Sequence, residues 1–328
     1  MTTESVFHSI LVPVDGSPLA ATALPLASGL AHAAGAHLRL ALVHTMPPAP
    51  ADTGSVTSFA SVDVAGRASE RSYLQALEAR LREAGTRIAS SATLTGAVGS
   101  ALADYVRDHG IDLVVMATHG RGGVRRAWLG SVADYLIRHL EVPVLLVRPH
   151  DEAATEPPAA RGILVPLDGS PLGEAVLRPA AALARIRGTG LTLVQVVPPV
   201  LEVADMTLPL AAAVAVPGEP GMTELLQQEA QDYLDALVAE LRTEGIPATG
   251  TAVVGYHVAK TIQELARPER FGLIAMATHG RGGVRRLALG SVADKLVRSA
   301  DVPVLIHRPA EVGDLPRPRT RREVAAAG

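Results

Sequence analysis

One block of sequence occurs twice in this chain, and this repetition limits the fold more than any other feature. The block Met116–Arg126 (MATHGRGGVRR) is repeated letter for letter at Met276–Arg286. The opening Ser9–Leu19 (SILVPVDGSPL) is also nearly identical to Gly162–Leu172 (GILVPLDGSPL). A repeat of about half the chain length indicates two similar domains and excludes a solenoid of many short units.

Each half has the pattern of an α/β domain. Its core must be built from Ala, Val, Leu and Ile, because aromatic residues make up only 3% of the chain. Those residues suit buried parallel strands covered by helices. In the first half the pattern predicts strands at 10–14, 38–45, 87–95, 111–115 and 142–147, and helices at 18–34, 68–83, 100–109 and 131–140. Five strands alternating with four helices predict right-handed crossovers and a doubly wound parallel sheet.

The repeat also sets the domain boundaries. We expect a first domain at 1–149, a linker at 150–161 rich in Ala, Glu and Pro, and a second domain at 162–309. The tail 310–328 contains PRPRTRR and is expected to be a disordered basic extension. The segments 47–66 and 198–221 are the least alike of the two halves, and each is predicted to be a long loop.

Composition excludes several classes of protein. The formal net charge is −3, so no field of the whole chain attracts nucleic acid or an anionic membrane. The chain has no cysteine, which excludes disulfide and thiol chemistry. No apolar run reaches the roughly 18 residues of a membrane span, and the first residues lack the pattern of a secretory signal. We therefore expect a cytoplasmic protein without a membrane or nucleic-acid partner.

The candidate chemistry lies where strands end. In a doubly wound sheet, ligands bind beyond the carboxyl ends of the strands, where the strand order reverses. Asp15 ends the first strand, Val43 lies near the end of the second, and a glycine-rich loop follows the fourth. Glycines allow a phosphate to approach the backbone, and the free N–H groups at the start of the next helix stabilise its charge. Arg121 adds positive charge in this loop.

The spacing of the glycines is more informative than their number. Neither the Walker pattern nor the Rossmann Gly-x-Gly-x-x-Gly turn after the first strand is present. Instead, Gly120 is followed after nine residues by Gly130 and Ser131, and the second half repeats this spacing from Gly280.

With these motifs the chain resembles the universal stress protein family, in a form with two tandem domains. The resemblance rests on Val12–Ser17 (VPVDGS), the Met116 block, the Gly-Ser-Val-Ala that follows it, and the closing Val-Pro-Val-Leu strand, and it covers both halves nearly end to end. Nucleotide-binding members of the family carry Gly-x2-Gly-x9-Gly-Ser/Thr. Here the first glycine of that motif is replaced by Ala117 and by Ala277.

The resemblance implies a Rossmann-like sheet of order 3-2-1-4-5 in each domain, pairing of the domains through their fifth strands as a pseudo-dimer, and an adenine-nucleotide site in each. The ligand would be ATP, ADP, AMP or cyclic AMP, with the option of a magnesium ion carried in by the nucleotide; a homodimer also stays open. The implied nucleotide-binding residues are Pro13, Val14, Asp15, Val43, Met116, Ala117, Gly120, Arg121, Gly130, Ser131 and Val132 in the first domain, and Pro166, Leu167, Asp168, Val194, Met276, Ala277, Gly280, Arg281, Gly290, Ser291 and Val292 in the second.

Other interpretations of these residues stay open. Asp15 also suits a turn in which it accepts backbone hydrogen bonds, and Ser17 and Ser170 are expected to be helix caps rather than nucleophiles. His119 and His279 have no carboxylate partner at a suitable spacing, so we assign no catalytic residue and no metal site. The alternatives to a nucleotide-binding stress protein are an interaction module of the same fold without nucleotide, and a slow ATPase.

Overall fold

In the computed structural model, the residues that the structure describes are 7–45, 56–118, 129–148, 161–200, 221–267, 269–278 and 289–309. The first half has five strands and five helices in this range: β1 (Ser9–Pro13), α1 (Pro18–Ala21), α2 (Leu24–Ala34), β2 (His37–His44), α3 (Val56–Glu83), β3 (Ile88–Thr95), α4 (Val98–Asp108), β4 (Leu113–Ala117), α5 (Ser131–His139) and β5 (Val144–Val147).

The second half repeats this order of elements. They are β6 (Gly162–Pro166), α6 (Pro171–Glu174), α7 (Leu177–Arg187), β7 (Leu191–Val197), α8 (Met222–Thr243), β8 (Ala248–Val254), α9 (Val258–Leu265), β9 (Phe271–Ala277), α10 (Ser291–Ser299) and β10 (Val304–His307). Of the predicted linker only Arg161 lies within the described residues, and the predicted tail 310–328 lies outside them.

All ten strands form one sheet, in the order β3-β2-β1-β4-β5-β10-β9-β6-β7-β8. Pairing is parallel within each half, and β5 pairs with β10 antiparallel, with Leu145 opposite Leu305. The α/β class and the predominance of parallel pairing are therefore confirmed. Within each half the order reverses between the first and fourth strands, β1 and β4 or β6 and β9.

The sheet is buried on both faces, as its apolar strands require. Helices α2, α3, α7 and α8 cover one face, and α4, α5, α9 and α10 cover the other. Each of the two resulting cores contains residues of both halves, and α2 contacts α7 directly. Within the described residues, no helix has both the length and the apolar character that crossing a membrane requires.

The single first helix predicted at 18–34 is wrong, because the structure has two helices there. Helix α1 ends at Ala21, and α2 begins at Leu24. Ala21, the last residue of α1, lies four residues before Pro25, whose ring would clash with the Ala21 carbonyl in a continuous helix. The second half breaks in the same way, with α6 ending at Glu174 and Pro179 following.

The predicted loop 47–66 is also wrong in its second part. Helix α3 already begins at Val56, twelve residues before the predicted start at Ala68. Residues 46–55 lie outside the described part of the chain. In the second half, residues 201–220 lie outside it as well, and α8 begins at Met222.

Candidate functional site

The candidate site of the first half lies at the point where the strand order reverses. Strands β1 and β4 are direct neighbours, with Leu11 opposite Val114. Asp15 follows β1, and Thr118 follows β4, so both lie at the carboxyl edge of the sheet where a doubly wound fold binds ligands.

Asp15 organises the turn between β1 and α1. Gly16 has a φ of 83°, a backbone conformation that residues with a Cβ atom rarely adopt. This turn brings the Ser17 N–H to 2.9 Å from Asp15 Oδ1. Ser17 is the N-cap of α1, and its Oγ accepts the Ala20 N–H at 3.1 Å. The predicted capping role of Ser17 is confirmed. Asp15 accepts a backbone hydrogen bond within its own turn, as the alternative interpretation of this residue expected.

The second half has the same turn, in which one carboxylate oxygen accepts two hydrogen bonds. Asp168 Oδ1 accepts the Ser170 N–H at 3.1 Å and also the Ser170 Oγ–H at 2.6 Å. Ser170 caps α6 by accepting the Gly173 N–H at 3.1 Å. The capping role predicted for Ser170 is therefore confirmed too.

The glycine-rich loop of each half is closed at its base by backbone hydrogen bonds. The Gly130 N–H donates to the Thr118 carbonyl at 2.8 Å, and the Gly290 N–H donates to the Thr278 carbonyl at 2.8 Å. Thr118 itself is buried and donates its N–H to Val147 O at 2.9 Å. The ends of the loop are thus fixed against the sheet. The predicted residues Gly120, Arg121, Gly280 and Arg281 lie outside the described part of the chain.

Helices α5 and α10 begin directly at these closed loops. Their N-caps, Gly130 and Gly290, have no side chain that could accept the first N–H groups of the helix. Ser131 and Ser291 are exposed at the first helical position. An uncapped helix N-terminus presents N–H donors and a partial positive charge, which suits an anionic group. Val132 and Val292 follow as half-buried residues.

Val43 offers backbone groups at the same edge of the sheet. The Ala41 carbonyl accepts the Val14 N–H at 2.8 Å. Because backbone groups alternate along a strand, the N–H and C=O of Val43 point to the same side as those of Ala41. Strand β1 has ended at Pro13, so these groups of Val43 face the space beyond it.

Val194 was predicted to be the counterpart of Val43 in the second half, and this prediction is wrong. Pro13 pairs with Ala41, and Pro166 pairs with Val194, so Val194 is equivalent to Ala41. It is buried, and its carbonyl accepts the Leu167 N–H at 2.8 Å. The counterpart of Val43 is Val196, two residues later.

The remaining predicted residues that the structure describes lie at the carboxyl ends of β1, β4, β6 and β9. Alternation along β4 places Met116 on the face of α4 and α5, and Ala117 on the face of Leu113 and Val115. Ala117 and Ala277 end their strands in ordinary strand pairing, so alanine causes no backbone strain there. Most of these residues are buried, and Pro166 is half-buried; they are Pro13, Val14, Met116, Ala117, Pro166, Leu167, Met276 and Ala277.

A polar cluster beside Val43 was missed by the sequence analysis. The side chain of His44 is only 5% exposed. Its Nδ1 lies 2.8 Å from Glu70 Oε2, and its Nε2 lies 2.7 Å from Asp63 Oδ1. Both carboxylates lie on α3, seven residues apart on one face, and this spacing was the available signal. No cluster of three or more potential metal ligands occurs among the described residues.

Comparison with known proteins follows the repeat. The model of the universal stress protein family matches residues 7–148 and again 160–308. Universal stress protein Rv1996 of Mycobacterium tuberculosis is 28% identical to this chain over 329 residues, which cover 94% of this chain and 97% of that protein. Universal stress protein Rv2005c of the same organism is 31% identical over 200 residues, and the match spans 60% of this chain but only 62% of that relative.

The crystal structure of a universal stress protein from Archaeoglobus fulgidus has the same fold. Its TM-score is 0.64, with 17% sequence identity, and the alignment covers 92% of this chain and 97% of that one.

Proposed function

The chain belongs to the universal stress protein family, and we propose that each half binds an adenine nucleotide at the carboxyl edge of its sheet. The bound nucleotide would act as a signal, read by a partner through the conformation of the surrounding loops. The proposal is one of binding rather than of catalysis.

The observation that carries this proposal is the matching geometry at the two glycine loops. In both halves the N-cap N–H closes the loop at 2.8 Å, and in both a helix with a glycine N-cap begins there. Conserving this geometry in two copies favours a shared ligand over a chance turn. The helix N-terminus offers N–H donors and a partial positive charge, so it requires a hydrogen-bond acceptor and favours an anion. A nucleotide phosphate meets this requirement.

The other end of each cleft suits a nucleoside. Asp15 and Asp168 are half-buried carboxylates beside the first strand, and a carboxylate oxygen accepts hydrogen bonds from ribose hydroxyls. The backbone of Val43, and of Val196 in the second half, supplies one donor and one acceptor for the edge of an adenine ring. Ribose and base would therefore lie over the first two strands, with the phosphates toward α5 or α10.

A proline at the first position of α5 tests this arrangement. Gly130 has φ −61° and ψ 147°, a conformation that a residue before proline readily adopts, and proline is well tolerated at the first helical position. Ser131→Pro therefore removes one phosphate donor while the helix remains. A hydrogen bond to a charged group contributes about 1.5–3 kcal/mol, so affinity at the first site should fall about tenfold or more.

Calorimetric titration with ATP, ADP, AMP and cyclic AMP, with and without magnesium, measures this effect. Ser131→Ala is the matched control, because it removes the hydroxyl and keeps the N–H; its loss of affinity should be smaller. The proposal fails if none of these nucleotides binds below millimolar concentration.

The competing function is an interaction module without nucleotide. The observation in its favour is that Asp15 and Asp168 both accept hydrogen bonds within their own turns. Nucleotide retained by the purified protein, detected by its ultraviolet absorbance, would count against this alternative.

A further inference from the structure

Residue 173 distinguishes the two clefts. A Cβ atom at Gly173 would lie 2.6 Å from Asp168 Oδ1 and 3.3 Å from Ser170 Oγ. A carbon and an oxygen do not approach so closely, so the carboxylate of Asp168 uses space that only glycine leaves open. The equivalent residue of the first half is Ala20, whose methyl group fills that space. Asp15 therefore cannot adopt the position of Asp168.

The two helix caps are otherwise the same, which isolates this difference. Ser17 Oγ accepts the Ala20 N–H at 3.1 Å, and Ser170 Oγ accepts the Gly173 N–H at 3.1 Å. The difference concerns only the carboxylate. Asp168 Oδ1 lies close to Gly173 and accepts both the N–H and the Oγ–H of Ser170. A ligand that needed this oxygen would have to displace both donors.

A second difference acts in the same direction. Glu174 occupies the position of Ala21 and is half-buried, with its Oε1 accepting the Tyr233 O–H at 3.0 Å. Burial raises the pKa of this carboxyl, and the negative charges of Glu240 and Asp168 raise it further. The second cleft thus has an extra carboxylate near Asp168, where the first has a methyl group. The negative charge of Glu174, which the raised pKa reduces, adds to that of Asp168 and repels an anionic ligand.

From these two differences we propose that the clefts are unequal, that the first half holds the stronger nucleotide site, and that residue 173 is a positioning residue that weakens the second site by retracting Asp168. This inference rests on the proposed function. Both differences come from positions at which the two halves carry different residues. They therefore distinguish two sites whose other motifs are alike.

Titration of the full chain with magnesium-ATP tests the inequality. We expect two classes of site, with the affinity of the tighter one lowered about tenfold or more in Ser131→Pro and unchanged in Ser291→Pro. Gly173→Ala should strengthen the weaker site several-fold, and Ala20→Gly should weaken the tighter one. Gly173 lies in a helix, where alanine is favoured over glycine, so the fold should tolerate the change. Two equal sites in the unmodified protein, or no effect of Gly173→Ala, would overturn the inference.

A double-mutant cycle tests whether residue 173 acts through Asp168. In an Asp168→Asn background, Gly173→Ala should no longer change the affinity of the second site, because the carboxylate that it repositions is absent. A gain of the same size in both backgrounds would mean that glycine acts in another way, and would contradict the proposed role.

A ligand-free readout separates this inference from the proposed function. Crystal structures of the unmodified protein and of Gly173→Ala should differ in the position of Asp168, with its Oδ1 away from Ser170 Oγ in the variant. If Asp168 does not move, the positioning role is wrong whether or not nucleotide binds. If it moves and no nucleotide binds to either protein, the proposed function fails, and the inequality of the sites fails with it.

Discussion

The surroundings of His44 favour its positively charged form in the folded protein. Both of its ring nitrogens lie within hydrogen-bonding distance of carboxylates, Asp63 and Glu70, and only the imidazolium can donate to both. These hydrogen bonds, that of Glu70 first, raise the pKa of His44 above its ordinary value of 6.5, although burial and the charge of Arg67 oppose them. The hydrogen bond from Arg67, and then that from His44, lowers the pKa of Asp63.

We predict a pH-dependent stabilisation of the first half by this cluster. Because the folded pKa of His44 is raised, the stabilisation is full below pH 6.5 and is lost as the pH rises through the folded pKa. Urea denaturation across that range should show this loss in the unmodified protein.

The second half supplies the control for this prediction, since Val197, Thr223 and Ala230 occupy the equivalent positions. A variant with His44→Val, Asp63→Thr and Glu70→Ala should no longer show the loss of stability that occurs as the pH rises. If the variant and the unmodified protein lose stability in parallel, the cluster does not contribute.

His307 is expected to change the stability with pH in the opposite direction to His44. It ends β10, and its Nδ1 is buried without a hydrogen-bond partner among the residues that the structure describes. Burial lowers its pKa from 6.5 to about 4. Because the unfolded chain takes up a proton at 6.5, stability falls as the pH drops below that value, by about 3 kcal/mol in total near pH 4.

His307→Val copies Val147, the equivalent residue of the first half. We expect the free energy of unfolding to rise, because an unsatisfied polar group leaves the interior, and to rise more at pH 5 than at pH 7. Denaturant titration at both pH values measures this difference. His37→Val, at an exposed strand position, is the control and should change stability by less than about 0.5 kcal/mol.

At the scale of elements, two arginines connect the halves through helix ends. Arg308 Nη1 donates to the Arg138 carbonyl at 2.6 Å, in the last turn of α5. Arg148 Nη1 donates to the Ala300 carbonyl at 3.0 Å, at the C-cap of α10. Carbonyls at a helix C-terminus lack partners within the helix, and a cation there also complements the helix dipole.

Replacing both arginines with methionine should therefore destabilise the whole protein. Methionine keeps much of the apolar volume and removes the donors, so Arg148→Met with Arg308→Met is expected to lower the free energy of unfolding by about 2–4 kcal/mol. Chemical denaturation measures this change. Lys260→Met is the control, because its ion pair with Glu264 is exposed and should contribute at most about 0.5 kcal/mol. An equal effect of the control would contradict the role of the helix ends.

The sequence predicted the elements that carry local signals. Apolar runs identified the strands, and Ser17 before Pro18 identified a helix start. The position of Pro25 also contained the signal for the break between α1 and α2, although the alanine-rich composition favoured one continuous helix. Such signals act within a few residues, so no tertiary information is needed to use them.

Two features could not be predicted because tertiary contacts determine them. The early turns of α3 are rich in small residues and have little intrinsic helix propensity; Asp63 and Glu70 hold this helix to the sheet through His44. The position of Val194 could not be fixed either, because a shift of two residues keeps every side chain of a strand on its own face. Only pairing with β6 distinguishes Val194 from Val196.

At the scale of the molecule, side chains cover one outer edge of the ten-stranded sheet, that of β8. The two halves pair at the central seam between β5 and β10. Side chains of α8 cover the backbone of the edge strand β8: Gln231 bonds both the Ala252 N–H and the Gly250 carbonyl, and Arg242 bonds the Ala248 carbonyl. Covered edges resist pairing with further strands. Strands β5 and β10 instead pair with each other, and both cores continue across this seam.

The seam leads to a prediction for the isolated first half, residues 1–149. Without β10, strand β5 becomes an edge made of four buried apolar residues, Val144–Val147, and such an edge associates with other strands. Because β5 and β10 pair antiparallel with Leu145 opposite Leu305, two copies of the first half can repeat the seam with Leu145 opposite itself. We expect a homodimer in sedimentation experiments, with circular dichroism showing that the half-chain is folded.

Leu145→Lys places two like charges opposite each other, which is destabilising across a strand pair, and should give a monomer. A folded half-chain that stays monomeric at high concentration without this substitution would show that the seam depends on contacts from outside β5, such as that of α2 with α7.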